Sequence, residues 1–361
     1  MHGLAATTDR ASRTAYDRTV PPKTQRLFGV VAYEGTDYVG WQTQQSGRGV
    51  QDVLERRLSH LFGGRVYVAG SGRTDKGVHA CSQVFHFELP EEPVIRAPIL
   101  AAALGESAEA LAACVQHMLT GPASGLPADV QITHIAQAPA GFHARDSCIG
   151  KRYVYVIHEG GGSPFVARYR WVLGAGKRLD LDAMAAAARV LVGTHDFSTF
   201  GVRMPTDPRE PVKVMRRLEV RRHLRVEDPV RAAASSAADA HEPRAGGEHG
   251  PADNESVVTI CAECDRFLYN MMRLISGTLV QVGLGKLRAD EVSELLAARG
   301  RAASGGVFKA PAQGLCLERC FLEGVDDPWP ERGDLEVAAG GEEEAKHMKQ
   351  AATPLDLSDA N

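Results

Sequence analysis

The stretch RFLYNMMRLISGTLVQVG, residues 266–283, limits the possible folds more than any other part of the chain. Read as a helix, it carries apolar side chains at Phe267, Leu268, Met271, Met272, Leu274, Ile275, Leu279 and Val282, which together point in nearly every direction. A helix apolar all round is a buried one, so other elements must cover it on every side. Arg273 stands in the middle of this run. Buried without a counter-charge, its guanidinium would cost on the order of several kcal/mol. Either it snorkels out of a half-covered helix along its own stem, or a carboxylate from elsewhere in the chain meets it.

The candidate carboxylate is Asp75, in the stretch GSGRTDKGVHA at residues 70–80. Three close glycines permit a turn that ordinary residues resist, and the polar residues between them are poor core material. The phosphate-cradling patterns fail here. The stretch lacks the third glycine of GxGxxG, and Asp75 occupies the position of the second glycine in GxxxxGK[ST]. A metal role for Asp75 would need neighbouring ligands, and the spacing to His79 carries little meaning outside a helix. An adjacent guanidinium would instead lower the aspartate pKa by roughly 1–3 units. The expectation is an oriented, ionised carboxylate able to act as nucleophile or base.

Around these two segments the chain reads as α+β. RLFGVVAYEG, RVYVAG and SQVFHFEL read as strands, and VQDVLERRLSHLF between them has helical spacing at Val50, Val53, Leu54, Leu58 and Leu61. A second unit starts near Lys151. In it KRYVYVIHEG, VKVMRRLEVRR, VVTICAEC and GLCLERCFLEG read as strands, while LDAMAAAARVLVG and DEVSELLAARG read as helices. The expected architecture is two similar subdomains, 26–148 and 149–325, each a mostly antiparallel sheet with helices on one face, flanking a central basic cleft. Residues 1–25 read as a disordered or targeting lead-in, about 225–255 as a disordered insert, and 326–361 as an acidic disordered tail.

The formal charge of −4 conceals a basic body. Residues 326–361 carry a net −7 and residues 223–255 a net −4, which leaves +7 on the rest of the 361-residue chain. A basic body suits a polyanionic partner. No run of about 18 apolar residues suggests a membrane span. Seven cysteines point to a reducing compartment, either the cytoplasm or an organelle. Cys261, Cys264, Cys316 and Cys320 count as four thiols for zinc, but strand alternation sends Cys261 and Cys264 to opposite faces.

These segments together resemble the TruA-type tRNA pseudouridine synthases. GSGRTDKGVHA is similar to that family's RTD-x-GVHA loop, VVAYEGTDYVGWQTQ to its opening strand and turn, and VQDVLE to its first helix. GFHARDSCIGKRYVYVI, GTHDFSTF, RFLYNMMRLISGTLVQVG and APAQGLCLE resemble its later blocks, in order, so that the likeness spans residues 27–323. The chain departs from the pattern in the length of its acidic insert, in Asp265-Arg266 where small residues often sit, and in Cys316 where bacterial members often have tyrosine.

The resemblance implies an isomerase that converts uridine to pseudouridine in the anticodon stem-loop of tRNA, without cofactor or metal, as a homodimer with tRNA across both subunits. It implies that Asp75 is the catalytic residue and that Tyr153 contacts the target base, with Tyr155 on the same strand face left to the core. Arg73 suits either the space vacated by a flipped base or a phosphate, and loop packing is its plainer alternative. Lys76, Arg216 and Arg217 are candidates for tracking the RNA backbone. A tRNA-binding or chaperoning module that has lost the chemistry is the competing reading. It would be marked by loss of Asp75 or Tyr153, and both are present.

Overall fold

In the computed structural model, which describes residues 25–90, 93, 97–201, 210–224, 256–300 and 307–325, the architecture is α+β with one large, mostly antiparallel sheet. The lead-in before residue 25, the insert 225–255 and the tail 326–361 lie outside the described residues. In the first half the elements are β1 (Arg26–Tyr33), α1 (Val50–Phe62), β2 (Val68–Gly70), β3 (His79–Glu88), α2 (Pro98–Glu106), α3 (Ala108–Leu119) and β4 (Val130–Gln137). In the second they are β5 (Cys148–Glu159), α4 (Pro164–Ala167), β6 (Trp171–Val172), α5 (Leu181–Leu191), β7 (Gly193–Asp196), β8 (Val212–Leu224), β9 (Ser256–Cys264), α6 (Met271–Gly283), α7 (Ala289–Ala297) and β10 (Leu315–Leu322).

The strands follow the order β4-β1-β3-β10-β5-β9-β8-β7, with β2 paired to β3 and β6 to β5. The two halves of the chain therefore share one hydrogen-bonded sheet. β10, the last strand in sequence, is laid between the halves. It runs antiparallel to β5 from Leu315↔Tyr155 to Leu322↔Cys148, and parallel to β3 at Cys316↔His79 and Leu317↔Ala80.

Helix α1 buries Val50, Val53, Leu54, Leu58, Leu61 and Phe62, the face its spacing predicts. Helix α5 packs on β8 and against both α6 and α7. As its composition demands, α6 is covered on almost every side: Met271, Met272, Leu274, Ile275, Leu279, Val280 and Val282 are all buried. A Cβ on Gly277 would come within 1.9 Å of the Phe308 carbonyl oxygen, so the segment before β10 lies directly on this helix.

One expectation about α6 needs correction. The helix starts at Met271, because Asn270 takes a left-handed conformation (φ 62°) that interrupts the helical path. Arg273 is thus in the first turn and not in the middle of a longer helix.

Asp265, one of the departures from the family pattern, ties β9 to β8: its Oδ1 accepts from the Val214 amide at 2.9 Å. Three of the four thiols weighed for zinc have separate surroundings. Cys264 Sγ donates to the Arg266 carbonyl at 3.0 Å, Cys316 lies 3.5 Å from Cys81, and Cys320 lies 3.2 Å from the Ser71 hydroxyl. Among the described residues no helix is long and apolar enough to cross a membrane.

Candidate active site

The loop between β2 and β3 is held from both sides before it presents any chemistry. On one side, the Trp41 amide donates to the Thr74 carbonyl at 3.1 Å, and the Tyr33 hydroxyl is 2.7 Å from Thr74 Oγ1. Gln83 Nε2 donates to the Gly72 carbonyl at 2.6 Å, and Lys151 Nζ to the Ser71 carbonyl at 3.0 Å. On the other side His79 locks the loop to the segment before β10. Its Nδ1 accepts the Gly35 amide at 3.0 Å, which leaves Nε2 to donate to the Gln313 carbonyl at 3.1 Å. Both contacts suit a neutral imidazole, and burial lowers its pKa despite the nearby Glu34.

Within this frame Asp75, Lys76, Gly77 and Val78 form a turn closed by the Val78 amide on the Asp75 carbonyl at 3.2 Å, with Gly77 at φ 77°. Gly40 supports the turn from below. It has φ 110°, and a Cβ there would lie 2.6 Å from the Thr74 carbonyl oxygen. Gly40→Ala should therefore displace the Asp75 loop. We expect a stability loss of about 1–3 kcal/mol together with reduced turnover, although the residue touches no reacting group. Thermal melting and an activity assay on the same preparation check this.

The turn delivers Asp75 to Arg273. Nη1 of Arg273 is 3.8 Å from Asp75 Oδ2, and each side chain is only 14% exposed. That spacing makes an ion pair but is too long for a hydrogen bond. The guanidinium is positioned by other contacts: Nε donates to the Ala310 carbonyl at 2.8 Å, and Nη1 to Asn270 Oδ1 at 3.4 Å. The Ala310 amide in turn donates to the Arg273 carbonyl at 3.0 Å.

The electrostatics overturn the expectation of a depressed pKa. Burial pushes the Asp75 carboxyl above its ordinary range, and the charges of Arg273 and Lys309 pull it back only in part. The reason is geometric, since a loose pair in a dry site compensates desolvation poorly.

Tyr153 is 8% exposed and meets the Phe267 ring edge to face at 4.9 Å. Burial raises its phenol pKa, and Tyr33, Cys320 and Asp75 are among the charges that add to the effect. Tyr155 is fully buried and gives its hydroxyl to the Pro311 carbonyl at 2.8 Å, which makes it a core residue.

The remaining candidates divide by position. Arg73 and Lys76 flank Asp75, are exposed, and have no hydrogen-bond or ion-pair partner among the described residues. Arg216 and Arg217 lie on β8, four strands from β3 and so about 19 Å across the sheet at ~4.8 Å per strand. Arg216 is exposed and donates to the Ile149 carbonyl at 3.1 Å. Arg217 is engaged by Glu219 at 2.7 Å and Glu263 at 3.6 Å.

Lys309, Lys151 and Tyr33 belong to the site but escaped the sequence reading. Lys151 and Tyr33 lie in runs read for their strand pattern, Lys309 lies in a stretch assigned to no element, and none has a spacing signal of its own. Only the alternation of aromatic and basic residues in Phe308-Lys309 could have drawn notice to Lys309.

A sheltered acid with unpartnered cations at its rim is the equipment of an enzyme that works on a polyanion. Comparison with known proteins narrows this class. The family model described as tRNA pseudouridine synthase matches residues 30–116 and 187–322. The tRNA pseudouridine synthase A of Syntrophotalea carbinolica is 36% identical over 292 residues, 80% of this chain and 92% of that protein. Its namesake in Solidesulfovibrio magneticus is 37% identical over 296 residues, 81% and 89% respectively. That of Halalkalibacterium halodurans is 36% identical over 297 residues, 82% and 92%. The chain belongs to the tRNA pseudouridine synthase family.

Proposed function

We infer that this chain is an isomerase that converts uridine to pseudouridine in tRNA, with Asp75 acting on the ribose of a uridine turned out of the stack. The family and the named relatives support the activity. The observation that carries the role of Asp75 is its position: a carboxyl 14% exposed, 3.8 Å from an equally sheltered guanidinium, on the loop that resembles the family's reactive segment.

The reaction breaks the bond between the uracil nitrogen and the anomeric carbon, rotates the base, and rejoins it through carbon. The proton lost from that ring carbon is balanced by one gained at the freed nitrogen. Asp75 enters in one of two ways, by attack on the anomeric carbon or by removal of a ribose proton. Either role needs the ionised carboxylate. Arg273 favours that form against the cost of burial.

Flipping the base costs about a few kcal/mol. In this reading Arg73 fills the vacated space or grips the adjacent phosphate, and Lys76 serves the same backbone. Tyr153 bounds the pocket in which the uracil rotates against Asp75, as an aromatic wall. Arg216, from β8, is a distant backbone contact. Arg217 reaches RNA only by leaving its carboxylates. The proposal includes uridines of the anticodon stem-loop as targets and a homodimer that binds tRNA across both subunits. The resemblance of the motifs supports these two points.

Mapping pseudouridine in unmodified tRNA after incubation with the purified protein tests the reading. We expect new pseudouridines confined to the anticodon stem-loop. A tRNA that returns unmodified, or one modified only in another arm, would count against it.

A further inference from the structure

The segment leading into β10 is pinned at nearly every residue. The Phe308 carbonyl packs on Gly277, Ala310 is bonded on both sides to Arg273, the Pro311 carbonyl accepts from Tyr155, and the Gln313 carbonyl from His79. Side chains on such a backbone are presented rigidly. Two of them, Phe308 and Lys309, nonetheless face solvent.

Phe308 is 45% exposed although its ring stacks on Trp171 (centroids 5.7 Å, interplanar angle 20°), and Trp171 in turn meets the buried Tyr155 ring edge to face at 6.3 Å. Three aromatics thus climb from the core to the surface, and the last has one covered face and one open one. Lys309 follows it, with no ion-pair partner among the described residues and with its charge reaching Asp75. Phe308 is two residues from Ala310, at most about 7 Å of chain from the residue that positions Arg273.

We propose that Phe308 is a stacking platform for an unpaired tRNA base beside the target uridine, and that Lys309 holds the phosphate next to it. The claim rests on the tRNA reading above and adds a specificity-determining contact to it. An open π face accepts any unpaired base, and a neighbouring cation fixes the backbone of the same nucleotide. A rigid mount lowers the ordering cost of the contact.

The test measures tRNA affinity and the separate kcat and KM terms for Phe308→Ala, Phe308→Leu, Phe308→Trp and Lys309→Ala. Leu keeps the packing on Trp171 without an aromatic face, which guards against a simple folding defect. We expect Ala and Leu to weaken tRNA binding on the order of ten-fold, within the usual range for one stacked base, with the loss in KM, and Trp to restore it. Lys309→Ala should reduce the slope of log affinity against log salt by about 0.7–0.9, and the Phe308 variants should leave that slope unchanged. Unchanged tRNA affinity in Phe308→Ala overturns the proposal. So does equal loss in Ala and Trp, or a change in sedimentation mass without a change in tRNA affinity, which would mean that this face covers a second copy of the chain. Because binding is read directly, absence of turnover in the unmodified protein would strike the proposed chemistry and not this contact.

Discussion

Asp75→Asn should bind tRNA and leave its uridines unchanged. The substitution keeps the shape of the side chain and removes only the charge and basicity, so the turn closed by Val78 on the Asp75 carbonyl survives. Turnover should fall by roughly 10²–10⁴ if the carboxylate only moves a proton, and further if it forms a bond to the ribose. Stability runs the other way. Burial raises the Asp75 pKa in the folded chain, so the folded state holds this proton to higher pH than the unfolded state does. Its contribution is most favourable below the unfolded pKa and declines as pH rises through the folded one. At neutral pH the Asn variant should therefore melt no lower than the parent. Single-turnover kinetics, a tRNA-binding isotherm and thermal melts test the set. Residual turnover above about one tenth of the parent rate, outside the range expected for loss of a positioned acid or base, would remove Asp75 from the centre of the mechanism.

Arg273→Met should move the acid limb of the pH–activity profile upward by about one to three units, the usual effect of removing an opposite charge at this range. The sign follows from the site: burial already lifts the Asp75 pKa, and Arg273 is the first of the charges that oppose it. Without it, a larger fraction of Asp75 stays protonated at neutral pH, and activity drops there. The Ala310 carbonyl also loses its 2.8 Å donor, which should cost about 1–3 kcal/mol. Arg273→Lys separates the two effects, because the cation remains and the Nε–H contact is lost. The Lys variant should keep the acid limb near its original pH and share the stability loss. An equal displacement of the limb in both variants would show that position, and not charge, is what Arg273 supplies.

The sequence announced these two residues for different reasons. Arg273 was visible because a cation in an otherwise apolar run raises the question of its counter-charge, and the structure places Asp75 3.8 Å away. The balance of that encounter was not visible. Whether burial or the cation prevails depends on distance and dryness, and neither is written in the motif. Most helices and strands could be read from their periodicity, as with α1. The start of α6 could not, since Asn270 breaks the helix by a backbone choice inside an unbroken apolar pattern. The union of the two halves was also hidden, because nothing in GLCLERCFLEG says which strands it will join. Helices α2 and α3, in the alanine-rich segment 98–119, and strand β4 carry no motif that marks them in the sequence.

The position of β10 has a consequence for biosynthesis. Until the ribosome has released residue 322, β3 and β5 lack their common neighbour and the nascent chain exposes two raw strand edges, the kind that recruit other chains. The Asp75 loop precedes β3, and its clamp through Gln313 arrives only with this late segment. A polypeptide that stops short of β10 is left with its acid loop held from one side only and with adhesive borders, so completion of the last strand and completion of the candidate site are one event.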